Sequence, residues 1–122
     1  MTGANDPAET QNGGIVRMWH GRTRARDIDA YRRYVEQTGL ADYRRCPGNL
    51  GAVVLTRVDG EIAEIVTLSF WESMDAVRRF AGDEPETARY YPEDERYLLE
   101  FEPNVRHFEM FPSSVLTPAP CS

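Results

Sequence analysis

Residues 51–82, GAVVLTRVDGEIAEIVTLSFWESMDAVRRFAG, decide the fold. Two runs rich in β-branched residues, 51–58 and 61–71, flank Asp59-Gly60, a dipeptide that signals a two-residue hairpin. With Val58 facing Glu61, Val53 stands opposite Val66 and Leu55 opposite Glu64 on one face; Val54 meets Ile65 and Thr56 meets Ala63 on the other. Ser73 is then placed to cap a helix over MDAVRRFA, and Gly82 to stop it.

Working outward, Ile15 to His20 reads as a strand whose apolar residues do not alternate cleanly, as expected where both faces are covered. Thr23 is expected to cap a helix through residues 24–38, in which Ile28, Tyr31, Val35 and Thr38 recur at helical spacing, with Gly39 as its stop. Pro47-Gly48-Asn49 is turn chemistry. Beyond Gly82, Asp83 to Glu86 suggests a capping box for a short turn, ETARYY, that Pro92 breaks. A third helical piece, EDERYLLE at 93–100, ends before Pro103, and NVRHFEMF at 104–111 reads as the last strand.

The resulting order, βαββαβ, is the pattern of an α+β, ferredoxin-like fold: an antiparallel sheet with helices on one face. No segment is left to cover the other face, yet its strands carry apolar residues. A homodimer is therefore expected, sheet against sheet, forming a dimeric α+β barrel.

One domain over residues 14–112 accounts for this pattern. The flanking 1–13 and 113–122 are rich in Gly, Pro, Ser, Thr and Asn and read as flexible arms. A formal net charge of -6 argues against a phosphate-neutralising surface, despite seven arginines between residues 22 and 45, so no nucleic acid is expected as partner. No apolar run reaches membrane-spanning length and the first residues lack a signal peptide's pattern, so no membrane and a cytoplasmic location are the expectations. Cys46 and Cys121, without CxxC spacing and with only two histidines, do not make a metal site.

Those histidines are the first candidates for chemistry. His20 ends the first strand and His107 lies in the last; as neighbours on antiparallel strands they are diagonal partners if they share a face, and one of them would be a general base or anion-binding group. The competing reading gives His20 a loop carbonyl and His107 a place in the dimer core. Trp71, on a third strand read as parallel to the first, is placed near Trp19 and His20, where both indoles would wall an aromatic ligand; core packing is the alternative for each. Tyr90 and Tyr91 precede a proline and can overhang a pocket, while Tyr31, Tyr34 and Tyr43 pack helix on sheet or line a cavity between the layers. Glu64 is a further candidate base, with an ion pair to Arg17 or Arg57 the favoured reading. Cys46 has no evident base partner, and the acidic EDE run at 93–95 reads as solvated surface.

In the stretches IVRMWHGRT, CPGNLGAVVL, EIVTLSFWESMDAVRRFAGD and RYYPEDERYLLEFEPNVRHFEMF the chain resembles an antibiotic biosynthesis monooxygenase-type domain of the dimeric α+β barrel superfamily. The resemblance covers nearly the whole body and is most specific at Trp71-Glu72-Ser73 and in AGD…YYPEDERYLL…P. It implies a pocket between sheet and helices in which a polycyclic phenol or quinol is deprotonated and its anion reacts directly with dioxygen, with no cofactor. Residues 73–100 contain no histidine to serve as the axial ligand used by the haem-degrading branch. The superfamily also holds cyclases, decarboxylases and non-catalytic members, so a cofactor-free cyclase or isomerase, or a non-catalytic ligand-binding dimer, stands beside the oxygenase reading.

Overall fold

The computed structural model describes residues 14–111; the two arms read from the sequence lie outside the described residues. Four strands, β1 (Gly14–Arg24), β2 (Asn49–Asp59), β3 (Ile62–Trp71) and β4 (Arg106–Met110), form one antiparallel sheet in the order β2-β3-β1-β4. Helices α1 (Ile28–Gln37), α2 (Gly39–Arg44), α3 (Met74–Ala81) and the single turn α4 (Asp94–Tyr97) complete it. This is the ferredoxin-like α+β arrangement expected from the sequence.

Strand parity sorts the two faces. Ala63, Ile65, Thr67, Ser69 and Trp71 of β3 and Ile15, Arg17, Gly21 and Thr23 of β1 are buried toward the helices. Tyr31 and Val35 of α1, Leu40 and Tyr43 of α2, and Ala76 and Val77 of α3 meet them. On the other face, Val53, Leu68, Met18 and Arg106 form one cross-strand row, and Phe70, Val16 and Phe108 form another. Leu55, opposite Val66, is 49% exposed and Phe108 46%, so no element among the described residues covers that face.

The hairpin lies two residues away from its expected register. Asp59 pairs with Ile62, so the loop is Gly60-Glu61, and Leu55 faces Val66 while Arg57 faces Glu64. Gly60 has φ +65°, the conformation required at the first central position of a type II′ turn, and among the described residues no non-glycine has positive φ. Because side chains alternate with period two, a shift of two preserves which residues face the helices.

Other expectations fail where a hydrogen bond or strand pairing competes with the expected helix signal. Thr23 is not a helix cap: β1 runs on to Arg24 against β3, and Thr23 is fully buried opposite Ala63, its Oγ1 donating to the Arg24 carbonyl at 2.9 Å. A 3-10 turn, Ala25–Asp27, leads into α1. Gly39 opens α2 rather than ending α1; the break falls at Thr38, whose N–H and Oγ1 both bond the Tyr34 carbonyl, at 3.0 and 2.8 Å. ETARYY is not helical. Its Thr87 bridges Asn104, the Ala88 N–H donates to the Pro103 carbonyl at 2.9 Å, and Val105 N–H to that of Glu86 at 2.7 Å, so the segment is extended alongside the chain leading into β4.

Helix α3 forms as expected: Ser73 Oγ accepts from the Ala76 N–H at 3.2 Å, and Gly82 follows at φ +86°. Replacing this cap leaves one N-terminal donor unsatisfied. Ser73→Ala is expected to lower stability by about 1 kcal/mol in urea denaturation, with an unchanged m-value.

Candidate functional site

The helix face of β1 and β3 is not completely filled. Between it, α1, α2 and residues 89–94 lies a cavity of ≈ 40 Å³, walled by Trp19, Tyr31, Tyr43, Tyr90 and Tyr91, with Arg17, Arg89 and Asp94 as its charged groups. At roughly 10–15 Å³ for each water, this is space for about three waters, so an aromatic ring enters only if the overhanging segment yields.

Strand parity brings Arg17 here, side by side with His107 across the β1–β4 pairing. Arg17 as a whole is 2% exposed and has no carboxylate partner among the described residues. It donates to the carbonyls of Pro85 and Thr87 and, at 3.0 Å, to His107 Nε2, and stacks 5.6 Å from the Phe80 centroid; its Nε–H has no partner. Arginine has only donors, so His107 accepts at Nε2 and carries its proton on Nδ1. Burial first, and the Arg17 charge second, hold the imidazole below its ordinary pKa.

Trp19 reaches the cavity because residue 21 is glycine. A Cβ there would stand 2.5 Å from Trp19 Cη2, so the indole lies over space that any other side chain would fill. Its Nε1–H donates to Tyr90 Oη at 3.2 Å, and Tyr90 donates to the Glu102 carbonyl. Burial raises the Tyr90 phenol pKa.

Asp94 is the carboxylate that sequence reasoning missed. The acidic run EDE was expected on the surface, but Asp94 is 6% exposed and lines the cavity, accepting from Tyr31 Oη at 2.8 Å and from the Tyr91 N–H. Burial pushes its carboxyl above the ordinary range and, together with the neighbouring carboxylate, pushes the Tyr31 phenol far up. The helical wheel of a short segment gives no warning of this; α4 is one turn long, and its contact with Tyr31 spans 63 residues of sequence.

The candidates named from the sequence thus separate. Trp19, Tyr43 and Tyr90 line the cavity. Tyr34 does not; its hydroxyl accepts from the Glu93 N–H at 3.0 Å at the outer end of α1. Trp71 does not either: β3 is antiparallel to β1, so Trp71 pairs with Ile15 at the far end, fully buried, with Nε1 bonded to Ser69 Oγ at 2.9 Å. His20 and His107 do not share a face, since His20 has the parity of Met18 and Arg22 and His107 that of Arg17. His20 lies on the open face, 3.2 Å from Glu64 Oε2 and 3.8 Å from Glu102 Oε2. Glu64 also accepts from Arg57 Nε at 2.9 Å, and these partners, Arg57 foremost, hold its carboxyl below the ordinary range. Cys46 is partly buried, its thiol against the Asp42 carbonyl. Among the described residues no three His, Cys, Asp or Glu are grouped to hold a metal ion, and no helix is long and apolar enough to cross a membrane.

His107 and Asp94 carry opposite pH signatures. The folded His107 sits below 6.5, so on acidification the unfolded chain takes up this proton first; its stabilising contribution is intact above 6.5 and is lost as pH falls below it. Asp94 sits above 3.8, so its contribution is present below 3.8 and fades as pH rises through the folded value. Urea midpoints should therefore decline from about pH 7.5 to about pH 5.5, and His107→Gln should flatten that decline. An identical slope in the variant refutes the assignment.

No family model and no curated protein matches the sequence. Among solved structures, the chain is similar to the monooxygenase from the gene ActVA-Orf6 of Streptomyces coelicolor, in complex with nanaomycin D, at 18% identity and a TM-score of 0.55, covering 94% of this chain and 100% of that one. A proposed antibiotic biosynthesis monooxygenase from Bacillus cereus matches at 17% identity and a TM-score of 0.54, over 85% of this chain and 97% of the other. PA3566 from Pseudomonas aeruginosa matches at 17% and 0.51, over 82% and 94%. The chain has the fold of antibiotic biosynthesis monooxygenase-type proteins.

Proposed function

We propose that this protein is a cofactor-independent monooxygenase that oxidises an aromatic phenol or anthrone, held as its anion in the cavity between sheet and helices. The observation that carries this reading is Arg17, a buried residue with no carboxylate partner among the described residues, set in the wall of an aromatic-lined cavity. Such a charge is uncompensated until an anion arrives, and it is fixed before one does. The fold shared with an enzyme crystallised with nanaomycin D agrees with an aromatic ligand.

In this reading Asp94, or Tyr31 acting through it, takes the proton from the substrate, and Arg17 stabilises the oxyanion that results. His107 holds the guanidinium in place and is a positioning residue. The electron-rich anion reduces dioxygen itself. For an anthrone, the ring CH₂ becomes C=O: one oxygen atom enters the product, the other leaves as water with both hydrogens, and no external reductant is required. Trp19, Tyr43 and Tyr90 supply the flat apolar walls.

An oxygen electrode with anthrone as substrate tests this. Oxygen uptake matched by quinone formation is expected, and Arg17→Met should lower kcat/KM by about 10²–10³, as loss of an oxyanion donor does, while circular dichroism stays native. Turnover without oxygen uptake would instead point to a cyclase or isomerase. The small cavity favours a second reading, a ligand-binding dimer without turnover, which binding with no chemical change would support.

The exposed face of the sheet supports a homodimer. Val53, Leu55, Val66, Leu68 and Phe108 make an apolar field with Arg57, Glu64 and His20 at one end, a combination of core and charged rim suited to a second copy. Light scattering should give twice 13.9 kDa, and Leu55→Asp should give a monomer. A monomeric wild-type protein refutes this assembly.

A further inference from the structure

A second space also borders Arg17. It is an open groove of ≈ 470 Å³ between the C-terminal end of α3 and residues 82–89, and it shares both Arg17 and Arg89 with the cavity wall. Arg79 stands at its outer side, so three guanidinium groups border it, against one carboxylate, Glu84. None of the three arginines forms an ion pair with a described residue. Glu84 Oε1 is 3.4 Å from Thr87 Oγ1, and Arg79 Nη1 is 3.4 Å from the Pro47 carbonyl.

The arrangement around Phe80 is the informative part. The guanidinium carbons of Arg17 and Arg89 lie 5.6 and 5.0 Å from the centroid of this one ring, which gathers two like charges, neither of them ion-paired among the described residues. Cation–π contact offsets part of their repulsion, roughly 0.5–2 kcal/mol for each. It does not neutralise them. An anionic group in the groove would, and arginine forks suit the planar oxygens of a carboxylate.

We propose that the groove is a recognition site for an acidic substituent of the aromatic ligand: with the ring in the cavity beside Arg17, a carboxylate attached to it lies against Arg89 and Arg79. This deepens the proposed function and rests on its placement of the ring, and it names the substrate class as aromatic hydroxy acids. Arg89 is the specificity residue at the junction and Arg79 extends the site outward, where charge attracts but solvent screens.

Calorimetric titration of the whole protein with a hydroxynaphthoate and with the naphthol that lacks only the carboxylate tests this. The acid is expected to bind about tenfold tighter, and R79Q/R89Q to lose most of that preference. Circular dichroism of the same variant reports whether the fold is intact. Equal affinity for the two compounds, or a preference that survives in R79Q/R89Q, overturns the proposal, and binding of neither compound overturns it together with the cavity reading. Tight, arginine-dependent binding of the acid supports it even in a protein that consumes no oxygen, which separates it from the oxygenase reading.

Discussion

The site depends on one buried cation. Taking a guanidinium out of water costs several kcal/mol, and the usual compensation is a carboxylate. Arg17 is instead held by two loop carbonyls, a neutral histidine and the edge of an aromatic stack. Each of these comes from a different part of the chain: residues 85–87 before α4, His107 in β4, and Phe80 in α3. The same side chain that charges the cavity therefore fastens three segments to β1. This also explains why the turn at Pro85-Glu86 does not grow into a helix: the carbonyls of Pro85, Glu86 and Thr87 are committed to Arg17 and to the chain before β4.

Around that cation the aromatic residues divide into two groups, each drawn from both sheet and helix layers. At one end Tyr43 packs edge to face on both Trp71 and Phe80 and closes the core. At the other, the Trp19 ring centroid lies 6.5 Å from that of Tyr31 and 6.2 Å from that of Tyr90, and the three enclose a space that they do not fill. The difference arises at Gly21. A side chain there would fill the place of the indole; without one, Trp19 folds along the strand and its N–H reaches Tyr90. Tyr90 in turn is tied to the Glu102 carbonyl, so the wall is a hydrogen-bonded relay rather than loose packing.

Much of this fold was legible in residues 51–82 because strand periodicity, a glycine turn and a serine cap all act locally. Even the misplaced turn there left the buried face of β3 unchanged, since parity survives an even shift. Expectations that relied on chain direction or long-range partners fared otherwise. Trp71 was assigned to the wrong end because β3 was read as parallel to β1, and two histidines at adjacent strands were joined without a register to set their parity. Arg17 was weighed only as a partner for Glu64, which pairs with Arg57. Nothing in the sequence around residue 94 marks one carboxylate of an acidic run as buried; that follows from Tyr31, far away in sequence, aiming its hydroxyl at it.

Arg17 belongs to the walls of two spaces at once, and this has a thermodynamic consequence. Two separate anions, one in the cavity and one in the groove, would draw on the same positive charge, so filling either space weakens the attraction of the other by an equal free energy. A single molecule that carries both charges escapes much of this antagonism, because its second group arrives at an effective concentration set by the covalent link to the first. The shared wall thus discriminates by connectivity: it rewards one dianion over any pair of monoanions of the same chemistry.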